Sequence, residues 1–212
     1  MIDKKIYVLS EKSYEGAQNL AVVKIIFLNV KVDLNSFDAL IFTSKNAVQA
    51  INKISQLWKS KEIYSIGKGT SETILNMNVK PTYTATSSYG DNFAEEIIPF
   101  LKEKKVLFLR AEVVTSKLNT ILLNEGIDLD EKIIYKTVCN DILKTFPKKH
   151  SVIIFSSPST IECFFKKFTW DNSYKAVAIG EKTASFIPKN IKYTISNEQT
   201  IASCIKLAKN LL

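Results

Sequence analysis

The chain has 212 residues, 46% apolar and 24% charged, with a formal net charge of +8. That length can bury the core of one large domain or two small ones, and with six Gly and five Pro the sequence is not disordered, collagen-like or linker-rich. The basic balance fits nucleic acid, a membrane surface, an acidic small molecule or plain solubility. With scattered lysines, no RGG tract, no zinc-finger spacing and no aromatic ribonucleoprotein motif, a solvated surface explains it first.

In chain order, "MIDKKIYVLSEKS" carries charges where a signal peptide needs an apolar core, and no apolar run approaches the length of a membrane span, so a cytoplasmic protein is expected. Strand-like "KIYVLS", "VKIIFLNV" and "ALIFTS" lead into a segment whose Val48, Ile51, Ile54 and Trp58 recur at helical spacing. "EIYSIG", "KVLFLR", "KIIYKTV" and "SVIIFSS" follow, then a helical segment with Ile161, Phe164, Phe165 and Phe168, then "AVAIG" and the closing helix "TIASCIKLAKNLL". Many of the strands are apolar on both faces, as parallel strands covered by helices are, whereas a sandwich alternates polar and apolar residues. The class is α/β.

The pattern is doubled. Phe42 and Thr70, like Phe155 and Thr183, lie 28 positions apart, and Ser44 and Gly67, like Ser157 and Gly180, lie 23 apart. "IFTSKNAV…YSIGKGTSETI" matches "IFSSPSTI…VAIGEKTASFI": strand, hydroxyl turn, helix, strand, "IG", threonine, helix. Two similar α/β units explain this most simply. "NVKVDLNSFD" and "KIIYKTVCND" are extended and β-branched, and predict a two-stranded link. Residues 1–33 with 139–212 then form a discontinuous domain around an inserted one, 34–138. The inserted part has 13 Lys+Arg against 12 Asp+Glu, or +1, and the remainder 16 against 9, or +7, so an acidic ligand is drawn mainly to the discontinuous domain.

In an open parallel sheet, ligands sit where a strand's carboxyl end meets a helix N-terminus, whose N–H groups and dipole favour an anion. Ser44 or Asn46 can cap the first such helix. Pro158 suits a first helical position after Ser157, and "STIE" from Ser159 to Glu162 resembles a capping box. Thr43, Ser156 and whichever of Ser157 and Ser159 does not cap are spare donors. A single such turn is ordinary capping; four of them, counting "IGKGT" and "IGEKT", raise an anion site to equal standing. "GKGT" lacks P-loop spacing, which disfavours nucleotide triphosphate hydrolysis.

Cys139, Cys163 and Cys204 are odd in number and far apart with no CxxC pair, so neither a disulfide framework nor a zinc site is expected, and Cys163 reads as core. His150 in "PKKHS" reads as a solvated loop residue. Tyr135 in "KIIYKTV" reads as an interdomain packing aromatic whose hydroxyl reaches solvent and a cleft.

"IFTSKNAV", "SIGKGTSETI", "VLFLRAE" followed by "LLNEGIDLDEKIIYKTV", then "IFSSPSTI", "VAIGEKTA" and "NEQTIASCIKLAKNLL", in this order and spacing, resemble uroporphyrinogen-III synthase over nearly the whole chain. The resemblance implies two flavodoxin- or Rossmann-like three-layer domains with parallel sheets, joined by a two-stranded β linker, with the active site in the cleft between them. It implies a lyase without metal or other cofactor, acting in heme biosynthesis on hydroxymethylbilane, a linear tetrapyrrole bearing many carboxylates, and closing it with inversion of the last ring. Tyr135 matches the family's tyrosine that assists loss of the hydroxyl. Thr43, Ser44 and Thr70 match binding residues of the inserted domain, and Ser157 and Thr183 those of the other. Gly67 and Gly180 let backbone approach the ligand, and the charged Lys45 and Arg110 complete the substrate-binding set.

The pattern departs from the family at Arg110, followed by Ala111 rather than Gly, at Thr115, where a second arginine is common and Lys117 is a substitute, and at Ser10, Glu11 and Lys12 in place of Thr-Arg-Pro. The implied partners are the small-molecule substrate and transient contact with the upstream enzyme that makes hydroxymethylbilane; neither nucleic acid nor membrane is expected, and a monomer is. Two other readings are a non-catalytic two-lobed binding protein for a small anion, using the same helix ends, and a nucleic-acid module resting on charge alone.

Overall fold

The computed structural model describes residues 5–85, 90–143 and 145–212. In chain order the strands are β1 (Ile6–Val8), β2 (Gln18–Asn19), β3 (Val23–Phe27), β4 (Ala39–Phe42), β5 (Glu62–Ser65) and β6 (Tyr83–Thr84), then β7 (Lys105–Ala111), β8 (Asp128–Cys139), β9 (Val152–Phe155), β10 (Lys175–Ala178) and β11 (Tyr193–Ile195). The helices are α1 (Lys45–Ile54), α2 (Lys68–Leu75), α3 (Gly90–Leu101), α4 (Leu118–Asn124), α5 (Pro158–Lys167), α6 (Glu181–Ala184) and α7 (Ile201–Leu211). No helix among the described residues is long and apolar enough to cross a membrane.

The chain divides into two compact units, Met1–Lys24 with Val138–Leu212, and Ile25–Thr137. Residues 25–33, grouped by sequence with the discontinuous part, pack in the second unit. The reason is that β3 lies beside β8 at the edge of the second unit's sheet. The strand neighbouring β8 is therefore "VKIIF", one segment earlier than the expected "NVKVDLNSFD".

The first unit has a sheet ordered β11-β10-β9-β1-β2, with every pairing parallel. Successive side chains of a strand point to opposite faces, so "VIIF" in β9 feeds two cores at once. Ile153 and Phe155 join Tyr7, Leu9 and Phe164 on one face, while Val152 and Ile154 join Ile6, Val8 and residues of α7 on the other. All four are fully buried, each stabilising the fold by about 1.5–3 kcal/mol.

The second unit's sheet is ordered β3-β8-β7-β4-β5-β6, and its β4 to β8 pairings are parallel. Leu40, Phe42, Leu107 and Leu109 face the core that takes Ala47, Val48 and Ile51 of α1. Ala39, Ile41, Val106 and Phe108 face the opposite core with Phe93 and Ile97 of α3 and Leu118 and Leu122 of α4.

Strand order locates where each sheet can take a ligand. In the second unit the chain runs outward from β4 through β5 to β6, then returns to the other side of β4 as β7. In the first it reverses between β1 and β9. These are the topological switch points, and the crevice lies outside the strands' carboxyl ends there. Those ends are followed by Thr43 and Ser44 after β4, and by Ser156 and Ser157 after β9.

One expectation is overturned: Cys139 and Cys163 form a disulfide, with Cα atoms 5.1 Å apart. Their separation of 24 in sequence gave no sign that the end of β8 returns to the second turn of α5. Cys163 is also core, as expected, and Cys204 is free and buried, its thiol pKa pushed up by burial. Beside this pair, Asn140 donates from its backbone to Val22 O at 2.8 Å and from Nδ2 to Ala21 O at 2.8 Å.

Candidate active site

At the second unit's switch point, Ser44 is extended (φ −155°, ψ 138°) and its Oγ accepts from Asn46 N at 3.1 Å, so Ser44 rather than Asn46 caps α1. Thr43 and Lys45 flank it, both half-buried. After β5, Gly67 is the N-cap of α2 at φ +85°, a region that favours glycine. No side chain among the described residues caps α2; Thr70 N and Ser71 N donate to Gly67 O at 3.0 and 3.1 Å, which leaves the N–H groups of Lys68 and Gly69 open. A ring of hydroxyls holds this turn from beneath: Ser65 Oγ lies 3.0 Å from Ser71 Oγ, Thr84 Oγ1 lies 3.3 Å from each, and Ser71 Oγ donates to Gly67 O. Thr70 is 6% exposed, and its hydroxyl has no hydrogen-bond partner among the described residues.

Tyr135 arrives from β8 by an irregularity. Arg110 pairs with Ile133 and the next residue, Ala111, with Tyr135, so Ile134 is the extra residue of a β-bulge. Regular alternation would put Ile134 and Tyr135 on opposite faces. With the bulge both join the core that holds Phe42, Ala47 and Val48, on the face covered by α1. Tyr135 is 7% exposed, more deeply packed than an aromatic at a unit's rim. Burial pushes its pKa up, and the neighbouring Ser44 hydroxyl offsets part of that rise. A phenol in this state keeps its proton through the neutral range and can donate a hydrogen bond.

Arg110 does not project free. Its Nε donates to the Glu131 carboxylate, and its Nη1 donates to Ala111 O at 2.9 Å and Glu112 O at 3.2 Å. Glu131 also accepts from Asn119 Nδ2 at 2.8 Å.

In the first unit, Ser157 caps α5, with Pro158 at the first helical position as expected. The capping box is closed by Thr160, not by Glu162: Ser157 N donates to Thr160 Oγ1 at 3.2 Å, and Thr160 N to Ser157 Oγ at 3.4 Å. The expected "STIE" box fails because the helix starts one residue before Ser159, and Glu162 pairs with Lys166 instead. Ser159 is not spare either, its Oγ lying 2.9 Å from Ser157 Oγ. Gly180, N-cap of α6, is extended, so its backbone does not require glycine; a Cβ there would meet Gln199 Nε2 at 3.2 Å. Thr183 is 5% exposed and, like Thr70, has no hydroxyl partner among the described residues. Gln199 was missed in sequence; its place in "NEQT", just before the α7 cap Thr200, was the available signal.

These features define a class: an α/β protein of two parallel-sheet units, each with hydroxyl-bearing strand-to-helix turns at its switch point. The family model described as Uroporphyrinogen-III synthase HemD matches residues 20–206. The chain belongs to that family, one of enzymes in porphyrin biosynthesis. Its structure is similar to that of uroporphyrinogen-III synthetase from Helicobacter pylori, at 27% identity and a TM-score of 0.85 over 99% of this chain and 100% of that one. A mutant uroporphyrinogen III synthase from Thermus thermophilus shares the fold at 13% identity and a TM-score of 0.58, covering 97% and 98% of the two chains. No curated protein matches the sequence.

Proposed function

We propose that the chain acts as a cytoplasmic lyase that closes hydroxymethylbilane to uroporphyrinogen III. Water leaves the terminal hydroxymethyl group to give an electrophilic azafulvene. Attack at the substituted position of the last ring and reclosure through a spirocyclic intermediate then invert that ring. Because the substrate is already reactive, the protein's main task is to hold a flexible polyanion in the conformation that leads to the hindered attack.

Tyr135 donates a hydrogen bond to the departing hydroxyl, a role that suits a phenol held protonated by burial. Thr43, Ser44, Lys45, Gly67 and Thr70 in the second unit, and Ser157, Gly180 and Thr183 in the first, take the carboxylate arms. The open N–H groups behind Gly67 and the unpartnered hydroxyls of Thr70 and Thr183 serve as donors. The observation that carries the reading is the bulge that turns Tyr135 onto the face covered by α1, in the core with Phe42, Ala47 and Val48. Incubation with freshly generated hydroxymethylbilane should give the type III isomer; the type I isomer alone, as in an enzyme-free blank, would refute it.

A further inference from the structure

The bulge at Ile134 needs something to hold it. A parallel ladder with one strand slipped loses a regular hydrogen-bond step, and the slipped strand can relax by moving one residue. Such a move would return Tyr135 to the face away from α1, because side chains alternate. The groups around the slip are the ones Arg110 engages. Its Nη1 binds the carbonyls of Ala111 and Glu112, the two residues just past the slip, and the Glu112 N–H donates to Tyr135 O at 3.0 Å. Its Nε is tied to Glu131 on β8, on the near side of the slip, and Glu131 is held in turn by Asn119 of α4. The guanidinium thus spans the irregularity from both sides, and both side chains of the pair are at least three-quarters buried. A planar fork with several fixed donors can do this; a lysine cannot.

Resting on the catalytic reading of Tyr135 given above, we propose that Arg110 is a positioning residue: with Glu131 it clamps the β7–β8 bulge and thereby aims the Tyr135 ring at the α1 turn. It is not a ligand of a substrate carboxylate.

The test compares Arg110→Lys and Glu131→Gln with the wild type on freshly generated hydroxymethylbilane. It also follows Tyr135 ionisation by ultraviolet titration, with Tyr135→Phe marking that residue's share of the signal. In both variants kcat should fall about 10–100-fold with KM held within about twofold, the signature of a misplaced catalytic group. The Tyr135 ionisation should move down toward the ordinary tyrosine range as the ring leaves its buried seat. A raised KM at unchanged kcat in Arg110→Lys, with Glu131→Gln silent, would make Arg110 a carboxylate ligand and overturn the proposal. So would a Tyr135 titration that neither variant moves. If the wild type yields only the type I isomer, the catalytic reading falls, while the titration, which needs no substrate, still decides whether the clamp exists. Should Arg110→Lys fail to fold, Glu131→Gln carries the same readouts with its volume preserved.

Discussion

The two hydroxyl turns share one sequence pattern and are wired differently. In the first unit, Ser157, Ser159 and Thr160 bond to one another and to their own backbone, closing the start of α5 on itself. In the second, Ser44 caps α1 with a single bond to Asn46 N and interacts with Tyr135, a residue from the last strand of that sheet. The repeat therefore supplies the anion-favouring scaffold twice and the proton-bearing phenol once. On the proposed function, this arrangement divides the labour, with one turn holding substrate and the other coupled to chemistry.

The sharpest way to break this contrast is Tyr135→Phe. If the phenol is what distinguishes the second unit, turnover should fall by ~10²–10⁴-fold, while a urea midpoint should change by the equivalent of no more than about 1.5 kcal/mol, one hydrogen bond's worth. The alkaline arm of stability gives a second check. Burial raises the Tyr135 pKa, so its contribution is complete below the ordinary tyrosine value and is lost as pH rises through the folded-state value. Stability of Tyr135→Phe should therefore fall less steeply above about pH 10 than that of the wild type.

The units also differ covalently. All three cysteines lie in the first unit, where Cys139–Cys163 ties the end of β8 to α5; the second has none. Closing a loop of this length stabilises by about 3–4 kcal/mol in the chain-entropy account. A dithiol reductant should lower the first unit's unfolding midpoint and leave the second's in place, with titratable thiols in denaturant rising from one to three. Three thiols before reduction would remove the tie from the comparison.

Next in size are the two buried threonines. Thr70→Val and Thr183→Val remove hydroxyls that have no partner among the described residues, so neither should destabilise much. Each should raise KM by about 2–10-fold, the value of one donor to a substrate oxygen. A KM effect from only one of them would show that the two units' donors are not used equivalently.

The sequence made this scaffold legible because its signal is periodic. All eight runs read as strands are strands, and α1, α2, α5 and α6 begin at the four expected turns, since alternation and capping are local physics. What it hid has no local signature. Strands β2, β6 and β11 are edge pieces of two or three residues, too short to show a period. The bulge at Ile134 is invisible because "KIIYKTV" reads equally well in either register, and only pairing with β7 turns Tyr135 inward. The engagement of Arg110 by Glu131 and the pairing of Cys139 with Cys163 likewise join residues through the fold rather than along the chain.

The smallest and most discriminating effect compares Ser44→Ala with Ser157→Ala. Both remove an N-cap, and each should cost about 1 kcal/mol of stability. Of the two, only Ser44 neighbours the phenol, where its hydroxyl lowers a pKa that burial has raised. Removing it leaves burial unopposed, so the Tyr135 pKa rises further. If the protonated phenol is the active form, the alkaline limb of kcat in Ser44→Ala moves to higher pH, while that of Ser157→Ala stays with the wild type. A downward shift, or equal shifts in both variants, would mean that Ser44 caps a helix and does nothing more, and the two turns would then be equivalent after all.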